Sequence, residues 1–213
     1  MEDALQTKIT NLIAEGREIA RAFDRDVRQK NWHPFIAADY DVVLRQLLPL
    51  RRPGASFLEC GCATGVITIM ADLLGFDACG IEIDADLVAT ARRLADKYES
   101  SARFALGSFL PTGYEYRDSN GDGRLGTLTQ GDSGFPQLAR SLGDFDIVFA
   151  YPWEGEAATL QDLMKRHGRR DARLLLYGAP DGASRRATPG MKDRKDLATE
   201  LRELPIARVA RKI

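Results

Sequence analysis

Two acids and a glycine bend lie close together in this chain: Glu59-Cys60-Gly61-Cys62-Ala63-Thr64-Gly65, then Gly80-Ile81-Glu82-Ile83-Asp84. Gly61 and Gly65 let the backbone turn tightly and approach a ligand where a Cβ would clash. A pattern of helical period follows at once (Val66, Ile67, Ile69, Met70, Leu73, Leu74), so free N–H groups and a positive dipole end face the same ligand. Glu82 is placed to accept hydrogen bonds from the two hydroxyls of a ribose, each worth roughly 1.5–3 kcal/mol to a charged acceptor. Glu59, two residues before the first glycine, would repel a pyrophosphate. It suits instead a ligand that carries an ammonium group and a positive sulfur.

Such residues need a strand, a turn, a helix and a second strand to hold them. Ser56 to Cys60 reads as a buried strand after Pro53-Gly54, the helix ends at Gly75, and Ala78 to Ile83 is the second strand. Together they make the front half of a nucleotide-binding βαβ unit. The plainer alternative is an α/β turn whose glycines serve packing alone, which requires glycines, acids and spacing to coincide.

The arrangement resembles the class I S-adenosylmethionine-dependent methyltransferases. Glu59 to Gly65 is similar to that family's E/D-x-G-x-G-x-G motif, with Ala63 at the middle glycine, and Gly80 to Asp84 is similar to its second motif. The resemblance runs from about Ser56 to Tyr177. It implies an α/β fold with a doubly wound, mostly parallel sheet of Rossmann-like methyltransferase type, and S-adenosylmethionine as cofactor. The cofactor-binding set it implies is Glu59, Gly61, Cys62, Ala63, Gly65, Glu82, Ile83, Ser108, Phe109 and Ala150. Ser108 stands where related enzymes place an aspartate for the adenine amino group, and Phe109 is expected to pack against the ring. Ala150-Tyr151-Pro152-Trp153 is similar to the Asp/Asn/Ser-Pro-Pro-aromatic motif of amine-modifying members, with alanine in place of the acceptor. The implied catalytic set is therefore Tyr151, Trp153 for stacking on a planar substrate, and Glu154 (or Glu156) as general base or cation holder.

The remaining elements follow from periodicity. Glu2 to Gln29 is amphipathic and helical, read as a cap on the sheet edge or a dimer contact rather than a substrate lid. Asp39 to Leu50 is a second helix, and Trp32, His33 and Tyr40 are pocket candidates whose aromatic rings suit core packing better. Ala85 to Lys97 and Ala157 to Arg166 are helices; Ala102 to Leu106, Asp146 to Ala150 and Ala172 to Tyr177 are strands. A helix near Arg194 to Glu203 and a strand near Ile206 to Arg211 close the chain, leaving the far sheet edge truncated or paired with another subunit. The domain reading is an N-terminal helical cap over 1–50 and a cofactor-binding domain over 51–213, with a Gly/Asp-rich insertion at 111–136.

That insertion contains Asp118-Ser119-Asn120-Gly121-Asp122-Gly123, the front of an EF-hand-like calcium loop, with Asp118, Asn120 and Asp122 as metal candidates. Thr129 stands where the loop requires a bidentate glutamate, which favours a solvated, turn-rich insertion over bound calcium. Composition bounds the rest. The chain has 213 residues and a formal net charge of −1, so its overall balance points to neither nucleic acid nor membrane. From Met164 onward, however, 14 Lys and Arg stand against 6 Asp and Glu. That half could meet nucleic acid or an acidic partner, although a solvated basic surface balancing an acidic half accounts for it as well. Cys60, Cys62 and Cys79 read as reduced thiols, and with only His33 and His167 a zinc site lacks ligands. No apolar run reaches transmembrane length and no signal pattern opens the chain, so a cytoplasmic protein acting on a small molecule is expected. Two rivals stand beside methyl transfer. A nicotinamide oxidoreductase requires G-x-G-x-x-G, which the turn lacks. A non-catalytic scaffold of the same fold fits Ala63, Ser108 and Ala150.

Overall fold

Five short apolar runs lie side by side in parallel in the computed structural model, which describes residues 2–26, 36–115, 131–152, 156–178 and 200–204. They are β1 (Ser56–Cys60), β2 (Asp77–Glu82), β3 (Arg103–Leu106), β4 (Ile147–Ala150) and β5 (Arg173–Gly178). A further strand, β6 (Glu200–Leu204), runs antiparallel against β5, giving the order β3-β2-β1-β4-β5-β6. Every residue of β1 and β4 is buried, because helices cover both faces of the parallel part. The chain moves outward from β1 through β2 to β3, then returns to β4 on the other side of β1. That reversal opens a crevice at the carboxyl ends of β1 and β4, where ligands bind in open α/β sheets.

The period-two alternation of β1 decides which side chains reach which layer. Phe57 joins one cluster with α1 (Glu2–Asp26), α2 (Tyr40–Leu47), α3 (Val66–Leu73) and α4 (Ala85–Lys97), through Ile9, Leu12, Val43, Ile69 and Val88 among others. Leu58 and Cys60 point the other way, into a cluster with α5 (Phe135–Leu138) and α6 (Glu156–His167) built on Phe145, Leu160 and Leu163. Glu59 is therefore turned toward the α3 layer. Helix α1 packs its apolar face into that same layer. A Cβ on Gly16 would lie 2.7 Å from Val66 Cγ2 and 3.2 Å from the Tyr40 ring, so the glycine is what lets α1 lie close across α3. Lys97 and the Tyr98 hydroxyl both bond Glu15, and Lys8 bonds Glu99, fixing α1 over the end of α4.

Two sequence expectations need correction. Leu201 and Leu204 have helical spacing, yet Glu200–Leu204 forms a strand, because the open side of β5 offers a ladder from Leu174 to Gly178. The helix read over Asp39 to Leu50 stops at Leu47 and tightens into a 3₁₀ turn at Leu48–Leu50, where Pro49 removes a backbone donor. The strand expected near Ile206 to Arg211 lies outside the described residues. No helix among the described residues is long and apolar enough to cross a membrane.

Candidate functional site

The glycine turn is held by its own backbone. The N–H groups of Gly61 and Cys62 both donate to Ile81 O, at 2.9 and 3.0 Å, and Gly65 N–H donates to Cys62 O at 2.7 Å. Gly61, Ala63 and Gly65 all have positive φ, at 71°, 45° and 73°. Ala63 thus holds the left-handed conformation for which its position usually carries glycine, at a cost of roughly 1–2 kcal/mol. The two glycines serve different ends. A Cβ on Gly65 would meet the Phe104 ring at 2.6 Å and Ala91 Cβ at 2.8 Å, so this glycine is needed by the core. A Cβ on Gly61 would meet nothing within 4 Å, so its bend faces open space.

Two carboxyls flank the bend. Glu82, ending β2, accepts from Ala63 N–H at 2.8 Å through Oε2, and from Ile83 and Asp84 N–H at 2.7 and 3.0 Å through Oε1. Three donors against about four lone-pair sites leave room for a further hydroxyl. Burial pushes the Glu82 carboxyl above its ordinary value, with the three N–H groups pulling the other way. Glu59 is 4% exposed and accepts from Thr68 Oγ1 at 2.5 Å. Burial pushes its carboxyl up to about 8, against the pull of the Thr68 hydroxyl and N–H, and the Glu82 charge adds to the rise. Glu59 therefore caps the start of α3 from a distance, where Gly65 has no side chain to do so. Burial, then Glu59 and then Glu82, push the Cys62 thiol well up, which puts both acids beside the same turn. All three cysteines are free, buried and outside any disulfide.

The rim of the crevice is less uniform. Ala150 ends β4 opposite Cys60 and is buried. Tyr151, half-buried, packs edge-on against Tyr177 with ring centroids 4.9 Å apart. The Tyr177 hydroxyl in turn accepts from Asp39 N–H at 2.8 Å, so the entry to α2 is tied to the carboxyl end of β5. Tyr40, the first residue of α2, is buried against Gly16; its hydroxyl is raised by burial and then by the Glu59 charge, which places it in the core close to the site. Glu156 opens α6 as a buried acid and helps raise the Cys60 thiol, so a third carboxyl approaches the end of β1. Ser108 is buried: its hydroxyl accepts from Leu110 N–H at 3.1 Å, and its backbone bridges Ser133 through Asp132 O and Gly134 N–H. Phe109 packs against the α5 and α6 cluster.

Glu59, the turn, Glu82 and Ile83 are brought together as the spacing predicts. Trp32, His33, Trp153, Glu154, Asp118, Asn120 and Asp122 lie outside the described residues. Among the described residues no three His, Cys, Asp or Glu are grouped to hold a metal ion. Sequence reading missed Thr68 and Tyr177. The first shows as a lone hydroxyl in an apolar helix; the second acts through a partner 138 positions away, for which periodicity gives no sign. Two surface depressions lie elsewhere, one beside Arg92 and Gln137, the other beside Arg140 and His167, and neither includes Glu59 or Glu82.

No protein-family profile matches the chain. It is 35% identical over 63 residues to the ribosomal protein L11 methyltransferase of Paraburkholderia xenovorans, a stretch covering 29% of this chain and 21% of that protein. The Cupriavidus necator protein of the same name is 39% identical over 56 residues, covering 26% of this chain and 19% of that one. The matched stretch thus spans about a fifth of these relatives. Among solved structures, the RNA methyltransferase from Salinibacter ruber in complex with S-adenosyl-L-homocysteine superposes with a TM-score of 0.53 at 16% identity, covering 84% of this chain and 98% of that one. That likeness establishes the Rossmann-like methyltransferase fold.

Proposed function

We propose that this chain, which has the methyltransferase fold, is an S-adenosylmethionine-dependent methyltransferase. The observation that carries the reading is the pair of buried carboxyls on either side of a glycine bend that faces open space. The residues fit the cofactor. Glu82 keeps acceptor capacity for a ribose hydroxyl beyond its three backbone donors. Glu59, raised by burial, is the kind of group that a neighbouring cation draws back toward its ordinary range.

When bound, S-adenosylmethionine supplies a methyl group activated by its positive sulfur. The chain's own work is to hold and orient. Glu82 fixes the ribose end, Gly61 admits the ligand against the backbone, and Glu59 takes the ammonium end. Tyr151, braced by Tyr177, forms a wall beside the end of β4, where the acceptor is presented. Transfer is promoted mainly by in-line proximity rather than covalent help from the protein. Trp153 is assigned to stacking on the acceptor and Glu154 to accepting its proton.

Calorimetry with S-adenosylhomocysteine tests the reading. Binding to the intact protein is expected, with strong loss in both Glu82→Ala and Glu82→Gln while circular dichroism stays unchanged. An intact protein that binds none of it overturns the proposal. A scaffold role is favoured by one observation, the Ser108 hydroxyl already engaged by Leu110 N–H, and cofactor binding without transfer to any acceptor pool would support it.

A further inference from the structure

The end of the sheet opposite the crevice carries an unusual concentration of guanidinium groups. Helix α6 runs back along the sheet and ends in Lys165-Arg166-His167; the turn Gly168 to Ala172 then leads into β5, which opens on Arg173. Lys165, Arg166, Arg169, Arg170 and Arg173 are all exposed. Arg52, just before β1, joins them, because it and Arg169 bind the same Asp146 oxygen at 2.7 and 2.6 Å.

The acids of this rim are already engaged. Asp146 is shared by two arginines and also accepts from Ser56 N–H at 2.8 Å and the Ser56 hydroxyl at 3.1 Å. Asp162 takes Arg166 at 2.8 Å, and Asp171 takes Arg169 at 2.8 Å. Leaving Arg173 aside, five cations (Arg52, Lys165, Arg166, Arg169 and Arg170) stand against four acids once Asp144, held by Ser141, is included, so positive charge remains after these pairs are made. The helix dipole of α6 accounts for cations in its last turn only. Arg52, Arg169, Arg170 and Arg173 lie beyond its reach. At the crevice end the balance is reversed, with Asp39, Glu82, Asp84 and Glu156.

We propose that this amino-terminal rim of the sheet is a docking surface for a polynucleotide, gripped through its phosphates. Arginine forks match phosphate oxygens in pairs. An acidic protein partner would bury an apolar centre within its charged ring. Among the described residues the exposed large apolar side chains are only Leu48 and Leu106; Leu106 ends β3 at the crevice end, and Leu48, four residues before Arg52, is a lone leucine rather than an apolar centre. A surface of this kind reads backbone rather than bases, so its contacts are independent of sequence. The inference does not rest on methyl transfer, since the rim and the crevice lie at opposite ends of the strands.

The test is fluorescence anisotropy with a labelled, mixed-sequence single-stranded RNA and the whole chain. With four phosphate contacts, affinity should fall about 50-fold between about 50 and 200 mM salt. The double charge reversal Lys165→Glu with Arg170→Glu spares the Asp146 pairs and should cost at least about 10-fold, since it removes two contacts and adds two repulsions. The reversal Arg93→Glu, on exposed α4, should leave RNA binding unchanged. S-adenosylhomocysteine binding by the double variant should match that of the parent, which separates failure here from failure at the crevice. The proposal is overturned by absent or salt-insensitive RNA binding, by equal losses in the rim and α4 variants, or by tighter capture of polyglutamate or anionic vesicles.

Discussion

Glu59 is the residue with the most to reveal. Its carboxyl is raised by burial from an ordinary value of 4.5 to about 8, so at neutral pH the folded protein holds a proton there that the unfolded chain has released. Stability from this group is complete below the unfolded value and is lost as pH rises toward the folded one. Unfolding free energy should therefore fall across about pH 5 to 8, by up to about 1.4 kcal/mol per pH unit. Urea unfolding at a series of pH values checks this: Glu59→Gln keeps an oxygen for the Thr68 hydroxyl and should flatten the slope, whereas an unchanged slope would assign the effect elsewhere. A cationic ligand end reverses the pressure on the carboxyl. Binding S-adenosylhomocysteine near pH 7 should thus release a proton, seen as a heat that differs between buffers of different ionisation enthalpy.

At the scale of elements, the local part of the design was legible and the long-range part was not. β1 and α4 occupy the residues their periodicity predicts, Ser56–Cys60 and Ala85–Lys97, because a buried five-residue run and an Asp84 cap are local signals. The turn was legible from Gly61, Gly65 and their distance to Glu82. The reason for Gly65 was not, since it lies in the Phe104 ring and Ala91 methyl brought in from β3 and α4. A methyl group at Gly65 must hold positive φ and also displace that ring. Gly65→Ala should cost about 2–5 kcal/mol, adding backbone strain to overpacking, and a melting curve would show it. Ser108 was expected to face a ligand from its place after β3. Its engagement with Leu110 and Ser133 depends on where residues 131–134 return, which no nearby residue announces. β6 was missed because its leucines obey a helical spacing that an unpaired neighbour overrode.

Over the whole molecule, a formal charge of −1 conceals two opposed ends. The excess of acid lies where the strands finish and the excess of arginine where they begin, so net charge alone would have dismissed the polyanion proposed for the rim. Layering matters equally. α1, far from the crevice in sequence, shares the core layer of α3 and so supports the helix that Glu59 caps. One further feature bears on how such a chain is assembled. Because Ser108 and Ser133 lie bridged side by side, the chain departs from the scaffold and rejoins it at one doorway. The first residues beyond that doorway, Phe109, Leu110 and Tyr114, still pack against the frame, and Tyr114 bonds Asp162 at 2.8 Å. With the ends already fastened at that point, exchanging residues 116–130 for a short glycine-serine join should change the melting temperature little, since halving a closed loop alters its closure cost by only about 0.6 kcal/mol; differential scanning calorimetry would give the result directly, and a large drop would overturn it.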